Sequence, residues 1–340
     1  MQHIYMSVAS LAIITDAWTP QVNGVVKTLH QTRDALSRSG YQVSMLTPAD
    51  HKTIACPSYP EIRLALRPAQ TIRRQLDTLK PDHIHIATEG PLGLAARRFC
   101  LSNGLAFTTS YHTQFPEYVR KRLPIPLSMT YSFVRRFHKP AERTMVATPS
   151  QQRLLEHWRF KNIVRWSRGV DTDLFRPENR AGLNVKRPLF VYTGRVAVEK
   201  NIEAFLELDL PGTRCVIGDG PALEELKNRY TDVLFTGYKF GQDLASHVAA
   251  ADVFVFPSHT DTFGLVMLEA MASGVPVAAY PVTGPVDVVT HGETGILDQD
   301  LRKAALQALE LDRNRCREEA MKYTWQAASR QFMDNLVPVC

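Results

Sequence analysis

The sequence predicts an α/β protein built from two parallel-sheet domains. Three observations predict it. Apolar strand, loop and helix alternate along the chain, the alternation lapses over residues 171–188, and it then starts again. With 340 residues there is enough chain for two separate cores.

In the first half, residues 11–14 read as a strand and 25–39 as a helix closed by Gly40. Residues 41–46 are a second strand and 61–66 a third, followed by a helix over 69–80. A strand at 83–86, a helix from 92 to 102 stopped by Asn103 and Gly104, and a strand at 106–110 come next. Strands at 144–147 and 163–166 complete a first domain, residues 1–170. Residues 171–188, rich in Asp, Pro, Asn and Arg, read as a linker. The second domain, 189–318, has strands at 189–193, 214–217, 233–236, 253–256 and 275–279. Its helices start near Asn201, Pro221, Gly241 and Phe263. The end, 319–340, reads as amphipathic helix that packs back on the first domain, with the pattern already starting at Glu318.

Composition narrows the class. No uncharged apolar run reaches the length of a membrane span. The apolar start, residues 1–14, lacks a basic leader and runs into Thr15 and Asp16, so it reads as a first strand rather than a signal peptide. The five cysteines, Cys56, Cys100, Cys215, Cys316 and Cys340, form no Cys-x-x-Cys, which fits reduced thiols in the cytosol and argues against a zinc site. Charge is divided unevenly: residues 1–170 carry 23 Lys and Arg against 10 Asp and Glu, residues 171–340 carry 17 against 24. The densest basic run is Arg120-Lys121-Arg122, followed by Arg135, Arg136 and Lys139, with Leu123, Ile125, Leu127, Met129, Tyr131 and Phe133 between them. Two readings stand side by side. One is an anionic membrane surface, where each basic residue adds about 1 kcal/mol. The other is a solvated face beside an ordinary core helix. Nucleic acid is not expected, because no recognition motif is present.

Ligands of parallel sheets bind beyond the C-terminal strand ends, and the chemistry-bearing residues fall there. Asp261 and Glu269 frame Thr262-Phe263-Gly264-Leu265-Val266, the opening of a helix after the strand 253–256. A helix start attracts anions, because its first N–H groups lack partners and the dipole is positive there. Acids on either side suit a ligand that carries both phosphate and hydroxyl groups, such as a nucleotide sugar. Arg195 and Lys200, after the strand 189–193, suit a diphosphate as a planar fork and a point charge. A surface ion pair with Glu199 is the plainer alternative. Gly24 precedes a helix and lets backbone approach an anion, and Gly218-Asp219-Gly220 makes a tight turn into the next helix.

These loops together resemble the retaining nucleotide-sugar glycosyltransferases of family 4, across nearly the whole chain. The resemblance rests on Pro20-Gln-Val-Asn-Gly-Val-Val26, Gly194-Arg195 with Lys200, Gly218-Asp-Gly220, and Asp261 to Glu269. Thr260-Asp-Thr-Phe-Gly264, Thr88-Glu-Gly-Pro91 and Ser110-Tyr-His-Thr113 are most similar to the bacterial lipid α-glycosyltransferases. That branch includes α-mannosyltransferases and sulfoquinovosyl- or glucuronosyl-diacylglycerol synthases. The resemblance implies the GT-B fold, two Rossmann-like domains facing an interdomain cleft. It also assigns roles. Asp261, where the wider family carries Glu, would hold a donor-sugar hydroxyl. Phe263, Gly264 and Leu265 would offer N–H groups, Val266 would border the phosphate, and Glu269 would bind the ribose. Arg195 and Lys200 would neutralise the diphosphate, Gly24, Gly218 and Gly220 would line its cradle, and His112 would face the reacting carbon.

The implied activity is transfer of a hexosyl group from a UDP- or GDP-sugar, with retention, to a lipid such as diacylglycerol. No cofactor and no metal are expected. Asp171-x-Asp173 and Asp298-x-Asp300 spell a manganese motif, but the first lies in the linker and the second opens a turn. Expected partners are the nucleotide-sugar donor, a lipid or lipid-linked glycan acceptor and an anionic membrane, with the enzyme peripheral on the cytoplasmic face. A lipopolysaccharide or exopolysaccharide acceptor is the alternative. Glycoside cleavage, where Asp261 and Glu269 would be an acid/base pair, and a non-catalytic nucleotide-binding protein are the other classes. A dinucleotide oxidoreductase is disfavoured, since no strand is followed by Gly-x-Gly-x-x-Gly.

Overall fold

A computed structural model describes residues 9–56, 59–180 and 182–339, without the side chains of 59–61, 121 and 122. Residues 1–8 of the expected first strand, and the side chains of Lys121 and Arg122 in the basic run, therefore lie outside the described residues. The chain divides into two compact units. One ends at Ser167 and takes up again at Gln326; the other is Arg168–Trp325.

The first unit holds a sheet of six parallel strands: β1 (Ser10–Ile14), β2 (Gln42–Leu46), β5 (His83–Ile86), β6 (Thr108–Ser110), β7 (Arg143–Val146) and β8 (Ile163–Arg165). Between β2 and β5 lies a separate hairpin of β3 (Thr53–Cys56) and β4 (Tyr59–Ala65). The sheet order is β2-β1-β5-β6-β7-β8. Leu11, Ala12, Ile13 and Ile14 are all buried, because helices cover both faces of a parallel sheet. The expected strand at 61–66 forms, but outside this sheet, paired antiparallel with β3. A parallel neighbour needs a crossover, usually a helix. Residues 47–52 supply only one 3₁₀ turn, Pro48–Asp50.

After β6 come two helices, Phe115–Arg122 and Leu127–His138, separated by Pro124 and Pro126. The second turns Tyr131, Val134, Phe137 and His138 inward. The helix Trp325–Asn335 returns to this unit, where Phe332 and Leu336 join Leu11, Ile13 and Trp166 in one core. The tail then lies against the sheet: Val339 N–H donates to Asp82 O and Ala106 N–H to Val339 O.

The second unit has β9 (Leu189–Thr193), β10 (Thr213–Ile217), β11 (Leu234–Phe235), β12 (Val253–Phe256), β13 (Val277–Ala279) and β14 (Gly295–Leu297). All pairs are parallel, in the order β11-β10-β9-β12-β13-β14. The chain runs outward from β9 on one side and resumes at β12 on the other. That reversal is the topological switch point, where a crevice opens at the strand ends. β13 starts two residues later than expected. Val275 N–H donates to Ala270 O and closes the preceding helix, and Pro276 has no N–H to give. β14 was not foreseen.

The stretch expected as a linker folds against the second unit. Phe175 is buried, and Arg317, on the helix Arg313–Ala320, donates to the carbonyls of Phe175, Ala272 and Thr172.

Candidate functional site

At the switch point of the second unit, β9 runs out into Thr193-Gly194-Arg195 and β12 into the loop 257–264. Two bonds staple these loops together. Asn201 Nδ2 donates to Pro257 O at 3.0 Å, and Thr260 Oγ1 donates to Glu199 O at 3.4 Å. Asn201 takes a left-handed φ of 53°, which ends the 3₁₀ turn Val198–Lys200 and leaves Lys200 facing the other loop. Lys200 Nζ meets Asp261 Oδ2 at 2.5 Å, with side chains 21% and 19% exposed. So largely removed from water, the pair attracts more strongly than a surface ion pair does. The plainer alternative is a surface ion pair with Glu199; the structure shows Lys200 meeting Asp261. Arg195 is held through its backbone, whose carbonyl accepts from the Tyr192 hydroxyl at 3.0 Å. Burial pushes that phenol above its usual range.

The glycines here are set by contact between loops. A Cβ on Gly218 would lie 1.8 Å from Gly194 O, and one on Gly220 2.3 Å from Val196 O. Gly194 N–H donates to Ile217 O at 3.0 Å and Val196 N–H to Asp219 O at 2.9 Å. The loops after β9 and β10 thus lie backbone to backbone.

The helix Leu265–Ala272 opens at Gly264, whose φ of 82° suits glycine and which has no side chain of its own to cap it. A Cβ on Gly264 would meet Met267 Cε at 2.5 Å. Phe263 is buried and stands edge-on to Tyr323 at 6.4 Å. Glu269, one turn into the helix, is only 5% exposed. Lys200, Asp261, the helix start at Gly264 and Glu269 therefore share one end of this sheet, and such a set can hold an anion beside hydroxyl groups.

In the first unit, Gly24 is the first residue of the helix Gly24–Arg38. The N-cap Asn23 already accepts from Val25 N–H and Val26 N–H at 3.0 Å, so two N–H groups of this helix start are taken. His112 follows β6, 8% exposed, and meets Trp166 edge-on at 5.6 Å. The switch point of this sheet, between β1 and β5, holds a residue that sequence reasoning missed. Asp16 accepts from Leu92 N–H at 2.9 Å, from Gly93 N–H at 3.4 Å and from Thr88 Oγ1 at 2.9 Å. It caps the helix Pro91–Asn103 from across the crevice, and a Cβ on Gly90 would sit 2.4 Å from its Cγ. Burial pushes its carboxyl above the usual range, against the lowering effect of these bonds. The signal was present in Thr88-Glu-Gly-Pro91, whose glycine and threonine exist to receive Asp16.

Both Asp-x-Asp pairs serve local structure. Asp171 Oδ1 accepts from the N–H groups of Asp173 and Leu174. Asp298 accepts from Asp300 N–H and Lys303 Nζ, and Asp300 caps the helix Leu301–Ala308 through Lys303 N–H. Among the described residues, no three His, Cys, Asp or Glu side chains form a group that could hold a metal ion.

Two family models match the chain: "Glycosyltransferase Family 4" over residues 22–174 and "Glycosyl transferases group 1" over residues 187–311. A GDP-mannose-dependent alpha-mannosyltransferase of Mycolicibacterium smegmatis is 30% identical over 327 residues, which are 88% of this chain and 87% of that protein. The sulfoquinovosyl transferase of Arabidopsis thaliana is 33% identical over 312 residues, 83% of this chain. The chain spans 61% of the length of that plant protein. An alpha-monoglucosyldiacylglycerol synthase of Streptococcus pneumoniae is 27% identical over 343 residues, 88% of this chain and 78% of that one. Among solved structures, sucrose-phosphate synthase from Thermosynechococcus elongatus superposes with a TM-score of 0.77 at 22% identity, covering 96% of this chain and 98% of that one. The likeness is one of fold, the two-Rossmann arrangement called GT-B.

The loop packing yields a prediction. Gly218→Ala drives a methyl group into the Gly194 carbonyl, where no flexible side chain can give way. It is expected to destabilise the second unit by about 2–3 kcal/mol and to weaken nucleotide binding. Urea denaturation and calorimetry check both.

Proposed function

This chain belongs to glycosyltransferase family 4, and we propose that it moves a hexosyl group, with retention and without metal, from a nucleotide-diphosphate sugar to a lipid such as diacylglycerol. The observation that carries this reading is the Lys200–Asp261 pair beside the helix start at Gly264. Sugar transfer needs positive charge and N–H groups already aimed at the departing diphosphate. Lysine has three donors. One serves Asp261, and Lys200 would bridge a diphosphate and the carboxylate that grips the sugar. Leu265 and Val266 would offer N–H groups to the phosphates, Arg195 a second cation, and Glu269 would accept from the ribose hydroxyls. His112, in the first unit, would hydrogen-bond a hydroxyl or move a proton. The names of two relatives, a GDP-mannose-dependent alpha-mannosyltransferase and an alpha-monoglucosyldiacylglycerol synthase, support a GDP-sugar as one donor and a diacylglycerol-based acceptor.

The lipid half of the reading has structural support of its own. Phe115, Leu123, Met129 and Phe133 are 49%, 52%, 64% and 56% exposed, within nineteen residues of chain. On the helix Leu127–His138, Met129, Phe133 and Arg136 recur at i, i+4 and i+7, so they share the face opposite the buried one. Arg120 and Lys139 are exposed nearby in the chain. Apolar side chains rimmed by cations suit the headgroup region of an anionic bilayer. No helix among the described residues is long and apolar enough to cross a membrane.

Two measurements follow. In steady-state transfer assays, Lys200→Ala is expected to lower kcat/KM by at least ~100-fold, about 2.7 kcal/mol. Glu269→Ala raises donor KM with little change in kcat, and Asp261→Ala affects both. Wild-type constants in all three variants would overturn the site. In vesicle sedimentation, the Met129→Ser/Phe133→Ser variant is expected to bind phosphatidylglycerol vesicles at least fivefold more weakly than the wild type, and salt to weaken both. Equal binding by the two proteins would remove the membrane face.

A further inference from the structure

Glu89 follows β5 and His112 follows β6. These strands run parallel, with His85 opposite Thr108 and Ile86 opposite Thr109. Counted on from Ile86 and Thr109, Glu89 and His112 are each the third residue, so they leave neighbouring strands at the same level. Glu89 is held from inside the unit. Its Oε1 accepts from Nε2 of His138 at 3.1 Å. His138 is 2% exposed, and its Nδ1 lies 2.9 Å from Thr109 Oγ1, which in turn lies 3.1 Å from Thr144 Oγ1. Phe137, Phe160 and Tyr111 pack around the ring.

A buried imidazole costs free energy unless it is hydrogen-bonded. His138 uses both nitrogens, one on β6 and the other on a carboxylate that is 24% exposed. The second oxygen of that carboxylate, Oε2, has no partner among the described residues. Asp16 in the same crevice differs, because the helix Pro91–Asn103 and Thr88 take up both its oxygens. Glu89 is therefore a fixed, accessible carboxylate with an acceptor oxygen to offer, level with His112.

We propose that Glu89 binds the acceptor substrate and that His138 is its positioning residue. Oε2 accepts a hydrogen bond from an acceptor hydroxyl while the His138 N–H holds Oε1. A carboxylate takes hydroxyl donors and repels phosphate, so the subsite selects a neutral hydroxyl-bearing headgroup over a phosphorylated one. This rests on the proposed function, in which the lipid-facing residues Phe115, Leu123, Met129 and Phe133 belong to the same unit as Glu89.

The test is acceptor kinetics on dioleoylglycerol, a neutral monoglycosyl-diacylglycerol and octyl glucoside, with donor affinity measured by calorimetry. Wild-type rates across the panel test the lipid reading, which fails if only octyl glucoside is glycosylated. The ratio of variant to wild type, on whichever acceptor is used, tests Glu89. Glu89→Gln is expected to raise acceptor KM at least tenfold, with donor affinity within twofold and the melting temperature kept. His138→Ala is expected to raise acceptor KM likewise, and His138→Gln, which restores an N–H donor, to recover part of it. An unchanged acceptor KM in a folded Glu89→Gln, or a parallel loss of donor affinity, overturns the proposal.

Discussion

The contact on which the candidate site of the second unit depends is the one between Lys200 and Asp261. The two residues are sixty-one positions apart, and neither alone would hold a diphosphate beside a sugar. They meet because the loops after β9, β10 and β12 are locked to one another. Glycine lets backbone touch backbone at Gly218 and Gly220, and Asn201 and Thr260 staple the first loop to the third. The sheet beneath supplies the rigidity: every residue of β9 and β12 is buried. Order in the loops follows from burial in the strands, and the placement of charge follows from order in the loops. Held beforehand in this way, charge needs no reorganisation when the leaving group departs.

The first unit solves a similar problem by another device. Its crevice opens between β1 and β5, and there a buried carboxylate, Asp16, closes the start of the helix Pro91–Asn103. That helix start is used up by structure, as the one at Gly24 is partly used by Asn23. At the neighbouring strand ends Glu89 is 24% exposed and His112 is buried.

Much of this was legible in the sequence, for local reasons. The apolar runs of β1, β9 and β12 are continuous because both faces are buried. The helix expected near Phe263 starts two residues later, at Leu265 after Gly264, and Lys200 and Asp261 stood beyond strand ends. What stayed hidden depends on distant partners. Asp16 and Leu92 are seventy-six residues apart, and Glu89 and His138 forty-nine, so no local pattern joins them. The hairpin of β3 and β4 reads residue by residue like a sheet strand; only the missing crossover helix gives it away. β14 has three residues, too few for a periodic signal.

A crystal of this protein soaked with UDP or GDP tests the central claim most directly. The expected density places the diphosphate within hydrogen-bond distance of the Leu265 and Val266 N–H groups and of Lys200 Nζ, with the ribose at Glu269. A diphosphate bound elsewhere, with Lys200 and Asp261 out of its reach, would contradict it.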